Sequence, residues 1–168
     1  MPKHSAGILP VRLQGDRVEV MLVHPGGPFF RKKDAGAWSV VKGLVEDGED
    51  LLEAARRELV EETGFTPPEG PYAHLGQITQ KGGKRVDAFA VLADFDVAAL
   101  RSETFELEWP PRSGRVQRFP EVDRAAWYAP DEARAKILEA QRPFVDRATS
   151  REVIARLTPR AGRLSGEA

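Results

Sequence analysis

Glu58, Glu61 and Glu62 lie close together in a segment that contains neither glycine nor proline. If this segment is helical, positions i, i+3 and i+4 share one arc of about 100° on the helix surface. Carboxylates at this spacing repel one another, and the repulsion grows where the helix packs into a region of low dielectric constant. The pattern therefore predicts a positive charge nearby, from a divalent cation or from the guanidinium of Arg57. A solvated acidic helix face is the alternative.

Composition narrows the chemistry that these carboxylates can serve. The chain has 168 residues and no cysteine, which excludes thiolate metal sites and cysteine nucleophiles. Its three histidines are far apart in sequence, so an imidazole zinc site is disfavoured and an oxygen-bound cation such as Mg²⁺ remains. The 25 basic and 26 acidic residues give a net charge of -1, which disfavours nucleic acid as a partner. Because no run of about 18 apolar residues occurs, we expect no membrane partner and a cytoplasmic location.

The three glutamates must be positioned by a helix that we predict from Asp50 to Thr63, with Asp50 as its N-terminal cap and Gly64 as its end. Hairpins are predicted on both sides of it, at 7–23 and 72–95. Shorter strands are predicted at 38–41, 104–109 and 125–128, a helix start at 129–133 and a final helix at 143–157. Strands and helices alternate with short links, so we expect one α/β or α+β domain over residues 1–158 and a flexible tail at 159–168.

The segment from Gly43 to Phe65 resembles the Nudix box, G-x5-E-x7-R-E-U-x-E-E-x-G-U, in which U is an apolar residue. Nine positions match, namely Gly43, Glu49, Arg57, Glu58, Leu59, Glu61, Glu62, Gly64 and Phe65. The resemblance implies the α/β/α sandwich of the Nudix hydrolases, with a mixed central sheet. It also implies a Mg²⁺- or Mn²⁺-dependent enzyme that hydrolyses a nucleoside diphosphate linked to another moiety, by attack of water at phosphorus.

Carried over position by position, the resemblance implies a role for each charged residue of the box. Glu58, Glu61 and Glu62, with the carbonyl of Gly43, are the expected metal ligands. Glu49 and Arg57 are expected to orient them, and Arg57, Glu58 and Glu62 are expected to be catalytic. Glu58 is the first choice as general base. Because some members of the family use a glutamate on a later loop, three alternatives stay open: Glu106, Glu108 and Glu121.

The sequence says less about which residues bind the substrate. The run from Trp38 to Gly43 is similar to the Trp-x-x-Pro-Lys-Gly pattern of Nudix enzymes that cleave diadenosine and diphosphoinositol polyphosphates, with Val41 in place of proline. Lysine and arginine side chains favour phosphate, and aromatic rings favour a stacked base. The candidate substrate-binding residues are Lys42, Trp38, Lys84, Arg85, Phe29 and Trp109.

These observations favour hydrolysis of a small nucleotide-type substrate, with dinucleoside polyphosphates slightly ahead of nucleoside triphosphates. Residues 105–127 resemble a bacterial Nudix subgroup described only as predicted nucleoside triphosphate pyrophosphohydrolases. A non-catalytic nucleotide-sensing Nudix module is one alternative, although such modules usually lose carboxylates of the box. RNA 5′-end hydrolysis is another, which the near-zero net charge disfavours. The oligomeric state stays open, with a homodimer as one outcome.

Overall fold

The computed structural model describes residues 3–158, so the predicted tail at 159–168 lies outside the described residues. The strands are β1 (His4–Gln14), β2 (Arg17–Pro25), β3 (Val41–Leu44), β4 (Tyr72–Thr79), β5 (Arg85–Leu92), β6 (Thr104–Glu108), β7 (Val116–Pro120) and β8 (Val122–Tyr128). The helices are α1 (Leu51–Thr63), α2 (Pro130–Lys136), α3 (Arg142–Ala148) and α4 (Arg151–Leu157). Within this part of the chain, no helix is both long and apolar enough to cross a membrane.

The central sheet is mixed, with the strand order β4-β5-β1-β2-β8. β1 pairs in parallel with β5 and antiparallel with β2, while its first residues pair antiparallel with β3. β3 therefore lies beside the start of β1, where Gly43 faces Ala6 across the ladder. This pairing holds the start of the predicted box against the middle of the sheet.

Helices cover both faces of this sheet, as the alternating inward side chains of its strands require. On one face α1 packs Ala54, Ala55 and Leu59 against Ala6 and Ile8 of β1. On the other face α2, α3 and α4 pack against Leu9 and Val11 of β1 and their neighbours. The predicted α/β/α sandwich with a mixed central sheet is confirmed.

Local sequence signals explain why α1 spans these residues. The side chain of Asp50 accepts hydrogen bonds from the amides of Leu52 and Glu53, which satisfies two of the free N–H groups at the helix start. At the other end Gly64 adopts a left-handed conformation with φ 75° and donates its N–H to the carbonyl of Val60. The predicted helix is present with the predicted caps.

Three elements differ from the sequence-based prediction. The strand predicted at 38–41 lies at Val41–Leu44 as β3, while Trp38 and Ser39 form isolated bridges to Ile137 and Val23. The final helix was predicted as one segment but is two, because Ser150 caps the start of α4 by accepting from the amide of Val153. β7 was not predicted, since Val116, Gln117 and Arg118 are exposed and show no alternation of apolar and polar residues. β7 pairs only with β6, and this hairpin forms a separate two-stranded sheet.

Candidate active site

Glu58 is the most enclosed carboxylate of the box. It lies on α1 over β3 and is 7% exposed. A Cβ atom built on Gly43 would lie 2.0 Å from its Cδ, so the carboxylate rests directly on the glycine backbone. Burial raises the pKa of Glu58, while Arg57 acts in the opposite direction. A glycine at position 43 is what lets a carboxylate approach the β3 backbone this closely.

Arg57 connects the acidic residues of the box to one another. Its Nε and Nη2 donate to the two oxygens of Glu49 at 2.9 and 3.0 Å, in a forked pair. Its Nη1 donates to Glu58 at 2.9 Å and to Glu61 at 3.0 Å. These hydrogen bonds from Arg57, with one from the amide of Glu46, lower the pKa of Glu49 to about 2. Arg57 and Glu49 therefore occupy the positions that an orienting pair needs, because a single guanidinium fixes two of the expected ligands.

The three expected metal ligands do not converge on one point in this structure. Within residues 3–158, no group of three or more histidine, aspartate or glutamate side chains is arranged so that it could hold a metal ion. The role of these carboxylates as metal ligands therefore stays a prediction, and in this structure they have separate partners. Glu58 and Glu61 each turn one oxygen toward the guanidinium of Arg57, whereas Glu62 points into a separate pocket.

That pocket, called here the Lys42 pocket, has a volume of about 270 Å³. It is lined by Val23, Pro25, Phe30, Ala37, Ser39, Val40, Val41, Lys42, Glu62, Glu121, Val122 and Leu138. Burial lowers the pKa of Lys42, and Lys84 lowers it further, while Glu62 and Glu58 act in the opposite direction. The pocket thus combines one cation and two carboxylates with mostly apolar walls, a composition suited to a polar ligand with an apolar part.

The pKa of the Glu62 carboxylate is shifted strongly from its usual value. Burial raises its pKa to about 8, and the charges of Glu121, Glu58, Glu103 and Glu61 contribute in the same direction. Burial and the neighbouring negative charges therefore outweigh the positive charge of Lys42 in the same pocket. The site as a whole therefore carries excess negative charge next to the pocket.

Sequence reasoning missed Glu103. Its amide donates to the carbonyl of Glu61 at 3.0 Å, and its carbonyl accepts from the amide of Glu121 at 2.8 Å. This backbone pairing brings the segment before β6 against the end of α1. Burial and the charge of Glu103 raise the pKa of Glu121. No spacing signal links Glu103 to the box, since a long-range chain crossing brings it there.

The three alternative general bases lie in different parts of the structure. Glu121 lines the Lys42 pocket opposite α1. Glu106 lies on β6, where its carboxylate is 63% exposed and 3.6 Å from Arg118 of β7. Glu108 accepts a hydrogen bond from the amide of Gly114 in the turn of the same hairpin. Neither Glu106 nor Glu108 reaches the pocket, because both serve the exposed hairpin.

Only some of the candidate substrate-binding residues lie at the pocket. Lys42 lines the pocket, and Lys84 lies close enough to influence its pKa. Arg85 is exposed at the start of β5 and does not line the pocket. Trp38 does not line the Lys42 pocket: it is 2% exposed and its Nε1 donates to Asp34. The indole is part of the core that supports the pocket.

Phe29 and Trp109 contact each other instead of the pocket. Their rings meet edge to face with centroids 5.3 Å apart, which joins the loop after β2 to the β6–β7 hairpin. The neighbouring Phe30 is the aromatic residue that lines the Lys42 pocket. Sequence alone does not separate two adjacent phenylalanines in a loop.

Comparison with known proteins identifies the family of this chain. The family model of the NUDIX domain matches residues 1–148. The chain belongs to the Nudix superfamily. The expectation of a Nudix hydrolase is thereby confirmed at the level of the family.

Individual relatives share only part of the chain. An octanoyltransferase of Myxococcus xanthus is 32% identical over 126 residues, covering 71% of this chain and 34% of the relative. An RNA pyrophosphohydrolase of Caulobacter vibrioides is 46% identical over 57 residues, covering 31% of this chain and 33% of the relative. The matches thus span about a third of the length of these curated relatives.

A solved structure supports the fold. The NUDIX domain of NrtR from Shewanella oneidensis, crystallised with ADP-ribose, superimposes with a TM-score of 0.60 at 15% identity. The superposition covers 88% of this chain and 86% of that domain.

Proposed function

We propose that this Nudix protein hydrolyses a phosphoanhydride in a nucleoside diphosphate linked to another moiety, with a divalent cation as cofactor. The observation that carries the proposal is the position of Glu62. It faces the same pocket as Lys42, while the adjacent turn of α1 holds Glu58 and Glu61 on Arg57. The pocket therefore combines carboxylates with an ammonium group, as binding of a metal-complexed phosphate chain requires.

The residues present fit a divalent cation by their donor chemistry. The side chains are carboxylates, the ligands that Mg²⁺ and Mn²⁺ prefer. Burial and the charges of four neighbouring glutamates raise the pKa of Glu62 to about 8. Glu58, Glu61 and Glu62, with the Gly43 carbonyl, would hold the cation. When bound, it would neutralise charge on the phosphates and acidify a water molecule.

The chain itself supplies positioning and proton transfer. Lys42 would bind a phosphate oxygen, because it lines the same pocket as Glu62 and Glu121. Glu58 would accept the proton from the attacking water, since burial already favours its protonated form. Arg57 and Glu49 would keep Glu58 and Glu61 in place during turnover. Dinucleoside polyphosphates remain slightly ahead of nucleoside triphosphates as substrates.

A phosphate-release screen tests the proposal. It would cover dinucleoside polyphosphates, nucleoside triphosphates, nucleotide sugars and diphosphoinositols, with Mg²⁺ or Mn²⁺ and with chelator. We expect hydrolysis of at least one nucleotide class, which the chelator abolishes.

Glu62→Gln should lower kcat by at least about 100-fold with little change in fold. Glu53→Gln is the matched control, because Glu53 lies on the same helix but is exposed. Binding of nucleotides without any hydrolysis would favour the sensing module. Near wild-type turnover by Glu62→Gln would refute the assignment of the site.

RNA 5′-end hydrolysis is the second candidate function, favoured by the 46% identity to the RNA pyrophosphohydrolase. The β6–β7 turn carries exposed Arg112 and Arg115, which could contact a phosphate backbone. The same screen with a 5′-triphosphorylated oligonucleotide separates the two functions. A kcat/KM for the oligonucleotide above that for every mononucleotide and dinucleotide would favour RNA.

A further inference from the structure

Gln141 is fully buried and connects a wall of the Lys42 pocket with the turn between β4 and β5. Its Oε1 accepts from the amide of Val40 at 3.0 Å. Its Nε2 donates to Oγ of Ser39 at 3.1 Å and to Oε1 of Gln80 at 2.8 Å. These contacts fix the orientation of the Gln141 amide, because a flipped amide would set Nε2 against the N–H of Val40, with one donor facing another.

The orientation of Gln141 sets the orientation of Gln80. Because Gln141 presents an N–H group, Gln80 must present its carbonyl oxygen Oε1 as the acceptor. This contact is the one hydrogen bond that the Gln80 side chain makes in the part of the chain that the structure describes. Gln80 is half-buried at the start of the turn. Its Nε2 is therefore left with two N–H groups that can donate to a ligand.

Gln80 lines a second cavity, called here the Gln80 cavity, with a volume of about 500 Å³. The other residues that line it are Lys81, Leu138, Glu139 and Ala140. Leu138 also lines the Lys42 pocket, so the two cavities are neighbours that share one side chain. The Gln80 cavity is therefore placed to receive the part of a substrate that extends beyond the Lys42 pocket.

Positive charge predominates at the Gln80 cavity. Lys81 lines it, and Lys84 belongs to the same turn, where the amide of Gln80 donates to the carbonyl of Lys84 at 2.7 Å. Lys84 lies close enough to Lys42 to lower the pKa of Lys42. Glu139 is the one acidic residue among those that line the cavity. Two ammonium groups and an amide donor favour an anionic ligand rich in acceptor oxygens, such as a phosphate.

We propose that Gln80 is a specificity-determining residue that donates from Nε2 to a phosphate oxygen of a polyphosphate chain extending from the Lys42 pocket past Leu138, with its polarity as a donor set by Gln141. Gln80 contacts the substrate, whereas Gln141 acts through Gln80 and is a positioning residue. The inference rests on the proposed function, because it names the substrate class of that same site. The carboxylates and Lys42 serve the two phosphates that flank the scissile bond, so Gln80 serves a further one. The substrates are therefore compounds with at least three linked phosphates.

Binding of inorganic tripolyphosphate with Mg²⁺ tests the contact by calorimetry. All titrations use a Glu62→Gln background, in which we expect hydrolysis to be at least about 100-fold slower. Gln80→Met removes the donor at similar length and should weaken binding about tenfold. Gln80→Glu still accepts from Gln141 but presents a carboxylate to the phosphate, so it should weaken binding about 100-fold. Pyrophosphate has only two phosphates and should bind Gln80→Met and the parent protein with affinities within about twofold.

Two controls accompany these titrations. Gln14→Glu adds the same charge at an exposed position at the far end of β1, and it should leave binding of tripolyphosphate within about twofold of the parent protein. The melting temperature of each variant shows whether it is folded. Gln80 itself is half-buried in a turn, so its replacement leaves the core intact.

Nitrogen-15 NMR tests the polarity of the contact directly. The side-chain N–H signals of Gln80 are identified by their loss in Gln80→Met, and they should shift when tripolyphosphate saturates the protein. Gln141→Met frees the Gln80 amide to rotate and should weaken tripolyphosphate binding about threefold. In a Gln80→Met background, the same change should alter binding by less than about twofold, because Gln141 acts only through Gln80.

Kinetics extend the test to a nucleotide substrate. In the wild-type background, Gln80→Met should raise KM for a dinucleoside tetraphosphate about tenfold and keep kcat within about twofold, because the contact contributes to binding and not to the chemical step.

Three results would each overturn the proposal: no measurable binding of tripolyphosphate to the parent protein, undiminished binding by Gln80→Met, or Gln80 signals that do not move at saturation. These results count even if Gln141→Met fails to fold. If tripolyphosphate binds through Gln80 but no nucleotide is hydrolysed, the proposed function fails and the contact stands. Hydrolysis of a dinucleoside tetraphosphate with a KM that Gln80→Met leaves unchanged would be the reverse outcome.

Discussion

Gly43→Ala tests whether contact between the β3 backbone and Glu58 sets the geometry of the active site. The added Cβ would lie 2.0 Å from Cδ of Glu58 and 2.1 and 2.3 Å from its two oxygens. Ordinary contacts begin at 3.4 Å, so the carboxylate must move by roughly 1.4 Å, the difference between 3.4 and 2.0 Å. Gly43 itself is held by the pairing of β3 with Ala6 of β1, which leaves the Glu58 side chain as the group that moves.

A displacement of this size should lower kcat by about 100-fold or more, because misplacing a catalytic group by about 1 Å has that effect. The overlap should also lower the free energy of unfolding by about 1–3 kcal/mol. Activity is measured on the substrate found in the screen, and stability by urea denaturation monitored by circular dichroism.

A double-mutant cycle isolates the contact from other effects of the methyl group. In a Glu58→Ala background the overlap no longer exists, so Gly43→Ala should change the free energy of unfolding by less than about 0.5 kcal/mol. Leu44→Ala, on the same strand but half exposed, should keep near wild-type kcat. Equal destabilisation by Gly43→Ala in both backgrounds, or an unchanged kcat, would refute the reasoning.

Three further predictions concern one residue of the box and two buried polar side chains elsewhere in the fold. Arg57→Lys should lower kcat roughly 10- to 100-fold in the same assay, since an ammonium group cannot form the forked pair with Glu49. Gln141→Leu should lower the free energy of unfolding by about 1–3 kcal/mol in urea, because a buried amide loses its acceptor. Burial raises the pKa of Asp87, but hydrogen bonds from Gln77, His4 and His74 outweigh burial and lower it. The Asp87 carboxylate therefore stabilises the fold above its unfolded value of 3.8, and this stability is lost as pH falls through the folded value. Urea denaturation across acidic pH should consequently show a flatter stability curve for Asp87→Asn than for the wild type.

The parts of the site that sequence predicted are the parts built by local interactions. The helical spacing of Glu58, Glu61 and Glu62, the Asp50 cap and the Gly64 stop all lie within one segment, and the structure contains that helix. The contact of Arg57 with Glu61 also follows from spacing, because residues four positions apart face each other on a helix. Its contact with Glu58, one position further along, does not follow from spacing.

The parts that sequence did not predict depend on long-range packing. Glu103 reaches Glu62 only because its backbone pairs with the end of α1 and with Glu121. Trp38 has the residue type of a stacking platform, but the sheet buries it against His24 and Tyr128. The carboxylates were expected to converge, yet Arg57 is close enough to hold two of them. Spacing predicts which side chains share a face but does not predict which partner each one binds.

The structure attaches the two sides of the pocket to different parts of the fold. The charged residues of the Nudix box lie on or next to α1 and β3. The pairing of Gly43 with Ala6 and the packing of α1 fix these two elements to the start of β1. The pocket is also lined by Phe30, in the loop of residues 26–36, and by Val122 at the start of β8, which pairs with Pro25 at the end of β2. Among the described residues, α1 is capped by Asp50 and Gly64 and not by the loop of residues 26–36, so a change in that loop leaves the internal contacts of the box in place. This separation gives a physical reason why an intact Nudix box specifies the reaction but leaves the substrate undetermined.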